Sequence, residues 1–195
     1  MRAAGLGTLR LIHGNALAAD FAALAGGHPL RVVGNLPYYL STPILFRVLD
    51  QIEAVADMHF MLQRELVERM AASPGSRRFG RLSVAVQSLC RVEPLFHVDP
   101  GCFRPPPRVE STVVRLRPLP PAERPAADRR GLDLLLRRAF ARRRKTLANA
   151  LADLVPRERL PALGIDPALR PEALDVPSWC RLSLALHGSA TERGL

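Results

Sequence analysis

The chain has little lysine, cysteine, tyrosine or tryptophan, fewer acids than bases, and no long apolar run. Of its 28 basic residues only Lys145 is a lysine, against 18 acids, for a formal charge of +10 and a pI near 11.1. The three cysteines, Cys90, Cys102 and Cys180, are far apart, odd in number and without paired spacing to histidine. That pattern argues against a disulfide framework and a zinc site, so no metal is expected. No segment approaches the roughly 20 apolar residues that span a bilayer, and the N-terminus lacks the charged-then-apolar order of a signal peptide. A cytoplasmic protein with no membrane partner is expected.

What the chain does have is arginine, whose planar, always-charged fork suits phosphate. A GC-rich genome explains arginine over lysine, but not the excess of bases over acids. A nucleic-acid partner is therefore expected. At 195 residues, 48% of them hydrophobic, the chain is long enough for one sizeable domain and a small one.

Leu9-Arg10-Leu11-Ile12-His13 reads as a strand and Ala16 to Ala25 as a helix ended by Gly26-Gly27. Strand Leu30 to Gly34 follows, and Ser41-Thr42-Pro43 is expected to cap a helix running to about Gln51. Strand Ala56 to Leu62 and helix Arg64 to Ala72 come next. Alternation at this spacing implies right-handed crossovers and a mostly parallel sheet. Helix Arg81 to Cys90 then leads to strands Val92 to Val98 and Glu110 to Arg117, which bracket a proline-rich loop and suggest an antiparallel edge hairpin. Pro118 to Pro125 reads as a stiff linker. Leu132 to Ala141, Lys145 to Leu154, Pro171 to Leu174 and Ser178 to His187 form a small all-helical unit, with Trp179 in its core. The division expected is 1–120 and 121–195.

The most specific motif is Asn35-Leu36-Pro37-Tyr38, at the end of an apolar run. An exocyclic adenine amine is a poor nucleophile, because its lone pair is delocalised into the ring. It attacks a methyl sulfonium when two acceptors hold its hydrogens and an aromatic face holds the base out of its stack. Asn35 offers a side-chain carbonyl, Pro37 a backbone carbonyl and Tyr38 a ring, while an ordinary strand-to-helix turn would use the same residues. Stacking alone needs no hydroxyl, so Tyr38→Phe is expected to be tolerated. Arg142-Arg143-Arg144-Lys145 lies between two helical segments; four adjacent cations repel one another, which favours a phosphate partner over a solvated face.

Gly34-Asn35-Leu36-Pro37-Tyr38, Ser41-Thr42-Pro43, Met61-Leu62-Gln63-Arg64-Glu65, Gly80-Arg81-Leu82-Ser83-Val84, Phe103 to Ser111, and Arg143-Arg144-Lys145-Thr146-Leu147 with Asn149 occur in one order. Together they resemble the small-subunit ribosomal RNA adenine dimethyltransferase family. The resemblance implies an α/β, Rossmann-like methyltransferase sheet with a small all-helical C-terminal domain. It also implies transfer of methyl groups from S-adenosylmethionine to N6 of two adjacent adenines near the 3′ end of small-subunit (16S) rRNA, during ribosome biogenesis. Asn35, Leu36, Pro37 and Tyr38 would form the catalytic turn, and Asn15, Ala16 and Asn35 would bind cofactor. Asn15 stands where the family usually has Asp, and Asn also serves as a helix N-cap. Arg104, Arg108, Arg142, Arg143, Arg144 and Lys145 would bind RNA, although Arg104 and Arg108 equally suit a structural proline loop. The implied partner is the immature 30S subunit, met by an enzyme that is monomeric when full length.

The family's sheet begins with a glycine-rich loop after a first strand, then a second strand ending in a ribose-binding acid; their absence here suggests that roughly the first third of the usual enzyme is missing. Gly5-Leu6-Gly7 is the only remnant candidate. Two alternatives therefore stand beside the enzyme: a noncatalytic rRNA-binding remnant and, more weakly, a DNA adenine methylase.

Overall fold

The computed structural model of the protein describes residues 9–186. Gly5-Leu6-Gly7 and the His187 end of the last expected helix lie outside them. The strands are β1 (Leu30–Asn35), β2 (Val55–Gln63), β3 (Cys90–Val98) and β4 (Ser111–Pro118). The helices are α1 (Phe21–Ala25), α2 (Tyr38–Leu49), α3 (Arg64–Met70), α4 (Arg81–Gln87), α5 (Arg129–Ala141), α6 (Leu147–Ala150), α7 (Arg159–Ala162) and α8 (Val176–Ala185).

The four described strands lie in the order β1-β2-β4-β3. Only β1 and β2 pair in parallel; β4 runs antiparallel to both β2 and β3, so the expectation of a mostly parallel sheet does not hold for these strands. The cause is the direct connection from β3 to β4, which reverses the chain without a crossover helix and inserts β4 beside β2. The fold is nonetheless the expected α/β, Rossmann-like class, with α2, α3 and α4 packed on one sheet face.

That packing forms one hydrophobic core, in which Leu45, Val48 and Leu49 of α2 meet Met58, Phe60 and Leu62 of β2 and Val114 and Leu116 of β4. The alternation of buried and exposed positions in β4 carries the pattern of a strand covered on one face. A second core joins α5, α6 and α8 through Leu135, Leu136, Leu147, Trp179 and Leu182. It also takes in Ala72, Phe79 and Val84, which precede residue 120, so the helical end packs directly on the α3–α4 corner. Trp179 is fully buried, its ring 5.8 Å from that of Phe140.

Several local expectations give way to tertiary contacts. Leu9 to His13 forms no strand; Leu9 and Leu11 are 89% and 90% exposed, and strand propensity without a pairing partner fixes nothing. The single helix expected over Ala16 to Ala25 is a 3₁₀ turn (Ala16–Ala18) followed by α1. Between them the Ala19 carbonyl accepts from Arg47 Nε at 3.0 Å and Gln51 Nε2 at 3.2 Å, and Asp20 caps α1 anew. Gly26 ends α1 in the left-handed region at φ 56°, as its position suggested. Helix α2 starts three residues before Ser41, and Pro43 lies within it. The missing Pro43 N–H leaves the Tyr39 carbonyl without a helical donor, which is tolerable because Tyr39 faces solvent. Lys145 to Leu154 shrinks to α6, whose first two amides bond the Leu169 and Pro167 carbonyls. Helix α7 was not foreseen.

Candidate active site

Asn35 is the last residue of β1, beside Met61 of β2, and its side-chain amide has no hydrogen-bond partner among the described residues. The chain leaves the sheet there: the Leu36 N–H reaches the Met61 carbonyl at 3.4 Å, and Pro37 (φ −55°, ψ 130°) turns it into α2. Leu36 folds back over Gly34, where an added Cβ would come 2.9 Å from Leu36 Cδ2. A larger residue there would push the Leu36 methyl aside, and Leu36 anchors the turn on the sheet core.

The Pro37 carbonyl is already engaged. It accepts the Leu40 N–H at 2.9 Å and the hydroxyl of buried Ser41 at 3.0 Å. Tyr38 is half-buried, and its hydroxyl lies 2.7 Å from the Ser111 hydroxyl of β4. Ser41 was expected to cap the helix and instead bonds back to Pro37 from within it, and Ser111 was assigned no role because its partner lies 73 residues away in sequence. Tyr39, 82% exposed on the same first turn, was also missed; a second adjacent tyrosine in a chain that has only two was the available signal.

Asn15 behaves as a cap: its Oδ1 accepts the Leu17 N–H at 2.9 Å. Ala16 is exposed and its N–H has no partner among the described residues. Arg104 and Arg108 both lie exposed on the loop between β3 and β4. The end of that loop is fastened to the start of α3, where Arg64 N–H donates to the Glu110 carbonyl at 2.9 Å and the Arg64 guanidinium pairs with the Glu110 carboxylate. Those carboxylates, Glu110 first and Glu68 second, raise the already high Arg64 pKa further.

The structure divides the basic run 142–145, which forms the turn after α5. Arg142 lies 3.6 Å from Asp153, and Arg143 reaches Glu172 at 3.4 Å and the Ser76 carbonyl at 3.3 Å. Arg144 and Lys145 are exposed and make no such contacts among the described residues. The turn lines a cavity of about 520 Å³ together with Asn149. Arg143 also walls a groove of about 1300 Å³, between α3 and α4, that holds Arg69, Arg77, Arg78 and Arg81. No group of three or more metal-ligating side chains occurs among the described residues, and none of their helices is long and apolar enough to cross a membrane.

A family model described as ribosomal RNA adenine dimethylase matches residues 5–187. A relative named ribosomal RNA small subunit methyltransferase A, from Xanthomonas axonopodis pv. citri, is 53% identical over 181 residues, covering 93% of this chain and 69% of the relative. One of the same name from Idiomarina loihiensis is 51% identical over 175 residues, covering 90% and 61%. A solved dimethyladenosine transferase from Plasmodium falciparum superposes with TM-score 0.77 at 25% identity, over 92% of this chain and 72% of that one. The 23S rRNA methyltransferase ErmE shares the fold, with TM-score 0.63 at 21% identity over 90% and 71%. Given the match of a family model over nearly its whole length, the chain belongs to the ribosomal RNA adenine dimethylase family.

Proposed function

We propose that the protein dimethylates N6 of two adjacent adenines near the 3′ end of small-subunit rRNA. The observation that carries this reading is the unpartnered Asn35 amide beside the Pro37 turn and the anchored Tyr38 ring. Asn35 Oδ1 and the Pro37 carbonyl accept the two N6 hydrogens, so the nitrogen lone pair leaves conjugation and points at the methyl group. For Pro37 to do so, the Ser41 hydroxyl must rotate off its carbonyl. Tyr38 offers its face to the flipped base. No strong base is needed, because the methylated ammonium is acidic enough to lose its proton to water.

S-adenosylmethionine supplies an electrophilic sulfonium methyl when bound. The residues present suit its adenine end: the Ala16 N–H is free to donate to a ring nitrogen, and Asn15 Oδ1 keeps one lone pair for the adenine amino group. Asn35 would contact the cofactor as well as the target. Arg144 and Lys145 hold RNA phosphates, with Arg142 and Arg143 shaping the turn that presents them, and Arg104 and Arg108 flank the pocket mouth. The names of the Xanthomonas and Plasmodium relatives support this choice of substrate and reaction. On this reading residues 1–120 form the catalytic unit and 121–195 the RNA-holding one. The partner is the immature small subunit, met in the cytoplasm by a single copy of the full-length enzyme.

The test is methyl transfer to a small-subunit rRNA fragment by the wild type and by Asn35→Ala, with RNA affinity measured alongside. Asn35→Ala should abolish dimethylation and leave affinity nearly intact, because its contact counts mainly in the transition state. Wild-type turnover by Asn35→Ala would remove the assignment.

A further inference from the structure

We propose that Ser111 is a positioning residue of the base pocket: its hydroxyl holds that of Tyr38 and thereby sets the plane on which the target adenine stacks. The inference rests on the reading of Tyr38 given above. The two oxygens are 2.7 Å apart although the residues are 73 apart in sequence.

Ser111 is itself immobile. It is 1% exposed and opens β4 opposite Gln63 of β2 and Val98 of β3, so strands on both sides fix its Cα. Its neighbour Glu110 is tied to Arg64 through both backbone and side chain. Tyr38, by contrast, opens a helix at its first turn, where few backbone bonds restrain it. Stacking depends on ring orientation, and a tyrosine ring has two torsions to settle. A bond from the rigid strand to the far end of the ring restrains both. Phenylalanine would offer the same face without that restraint, so on this proposal Tyr38→Phe is not neutral. The same bond joins the pocket to the loop that carries Arg104 and Arg108, because Ser111 is the residue at which that loop re-enters the sheet.

The experiment places 2-aminopurine, which fluoresces when unstacked and is quenched on an aromatic face, at the target adenine of a small-subunit rRNA fragment. Wild type, Ser111→Ala, Tyr38→Phe, the double variant and Tyr38→Ala are compared for quenching and for RNA dissociation constant. Ser111→Ala should shift the equilibrium between stacked and unstacked base by about fivefold, as expected for one lost hydrogen bond, with RNA affinity within about twofold. Tyr38→Phe should match it, and the double variant should be no worse than either, since all three lose the same bond. A role in fold stability alone would lower the melting temperature and leave the quenching of the folded protein unchanged; that result overturns the proposal. Should Ser111→Ala not fold, Tyr38→Phe decides: wild-type quenching overturns the proposal and reduced quenching supports it. Full quenching by Tyr38→Ala would instead remove the stacking role of Tyr38 itself.

Discussion

The Arg31 guanidinium grips the Asp57 carboxylate across β1 and β2, Nε to Oδ1 and Nη2 to Oδ2, each at 2.7 Å. Asp57 is 5% exposed, and His59 and Arg115 also face it, at 3.5 and 3.9 Å. Hydrogen bonding from Arg31, against the opposing effect of burial, holds the Asp57 carboxyl below the usual carboxylate range. A carboxyl whose pKa is lower folded than unfolded adds stability above its unfolded value, and that stability fades as pH falls through the folded value. Asp57→Asn should therefore lower the denaturation midpoint clearly at pH 7 and by less at pH 3, below the usual carboxylate value. Denaturant melts at the two pH values check this; an equal loss at both would deny the ion pair its role.

Removing the Ser41 hydroxyl tests the proposed role of the Pro37 carbonyl. Ser41→Ala should cost about 1 kcal/mol of stability, the worth of one buried hydrogen bond. It should leave kcat unchanged or raised, because the Pro37 carbonyl then has one fewer competitor for the target amine. A large drop in kcat would mean that the serine hydroxyl assists the carbonyl.

The divided basic run predicts divided behaviour. Replacing Arg144 and Lys145 with alanine should leave the fold intact and flatten the slope of log affinity against log salt by roughly 0.7–0.9 per lost phosphate contact. Arg143→Ala should also lower the melting temperature, since it severs α5 from Ser76 and Glu172. Filter binding across a salt series, with melts in parallel, separates the two; an unchanged slope in the double variant would make these side chains a solvated face.

Thiol chemistry should single out one cysteine. Burial pushes the Cys90 thiol up to about 12 and the Cys180 thiol to about 11, while Cys102 lies exposed. Only the thiolate reacts, so iodoacetamide at pH 8 under native conditions should label Cys102 alone. Mass mapping of the adduct decides it; labelling of Cys180 would mean that α8 opens.

Much of this architecture was legible because the relevant forces are local. The apolar runs in Leu30 to Gly34 and in Ala56 to Leu62, the glycines after Ala25, and the proline-rich loop of the β3–β4 hairpin all specify their own conformations. The Asn35-Leu36-Pro37-Tyr38 turn was legible for the same reason. What was not legible depends on distant partners. Leu9 to His13 has the composition of a strand but no ladder to join, and the start of α6 is fastened by carbonyls some twenty residues downstream. Nothing near Tyr38 in sequence announces Ser111, and nothing in four adjacent cations says which two will meet acids.

Strand β1 pairs on one side only among the described strands, and this leaves an alternating imprint on its backbone. The Leu36 N–H points toward β2, so with a period of two the amides of Val32 and Gly34 do likewise, while those of Arg31, Val33 and Asn35 point outward. In deuterated water the outward set should exchange within seconds and the inward set should persist, a sawtooth of protection along a single strand. Any molecule that lies along this edge would erase the sawtooth at Val33 and Asn35 first, making those amides reporters of what docks there.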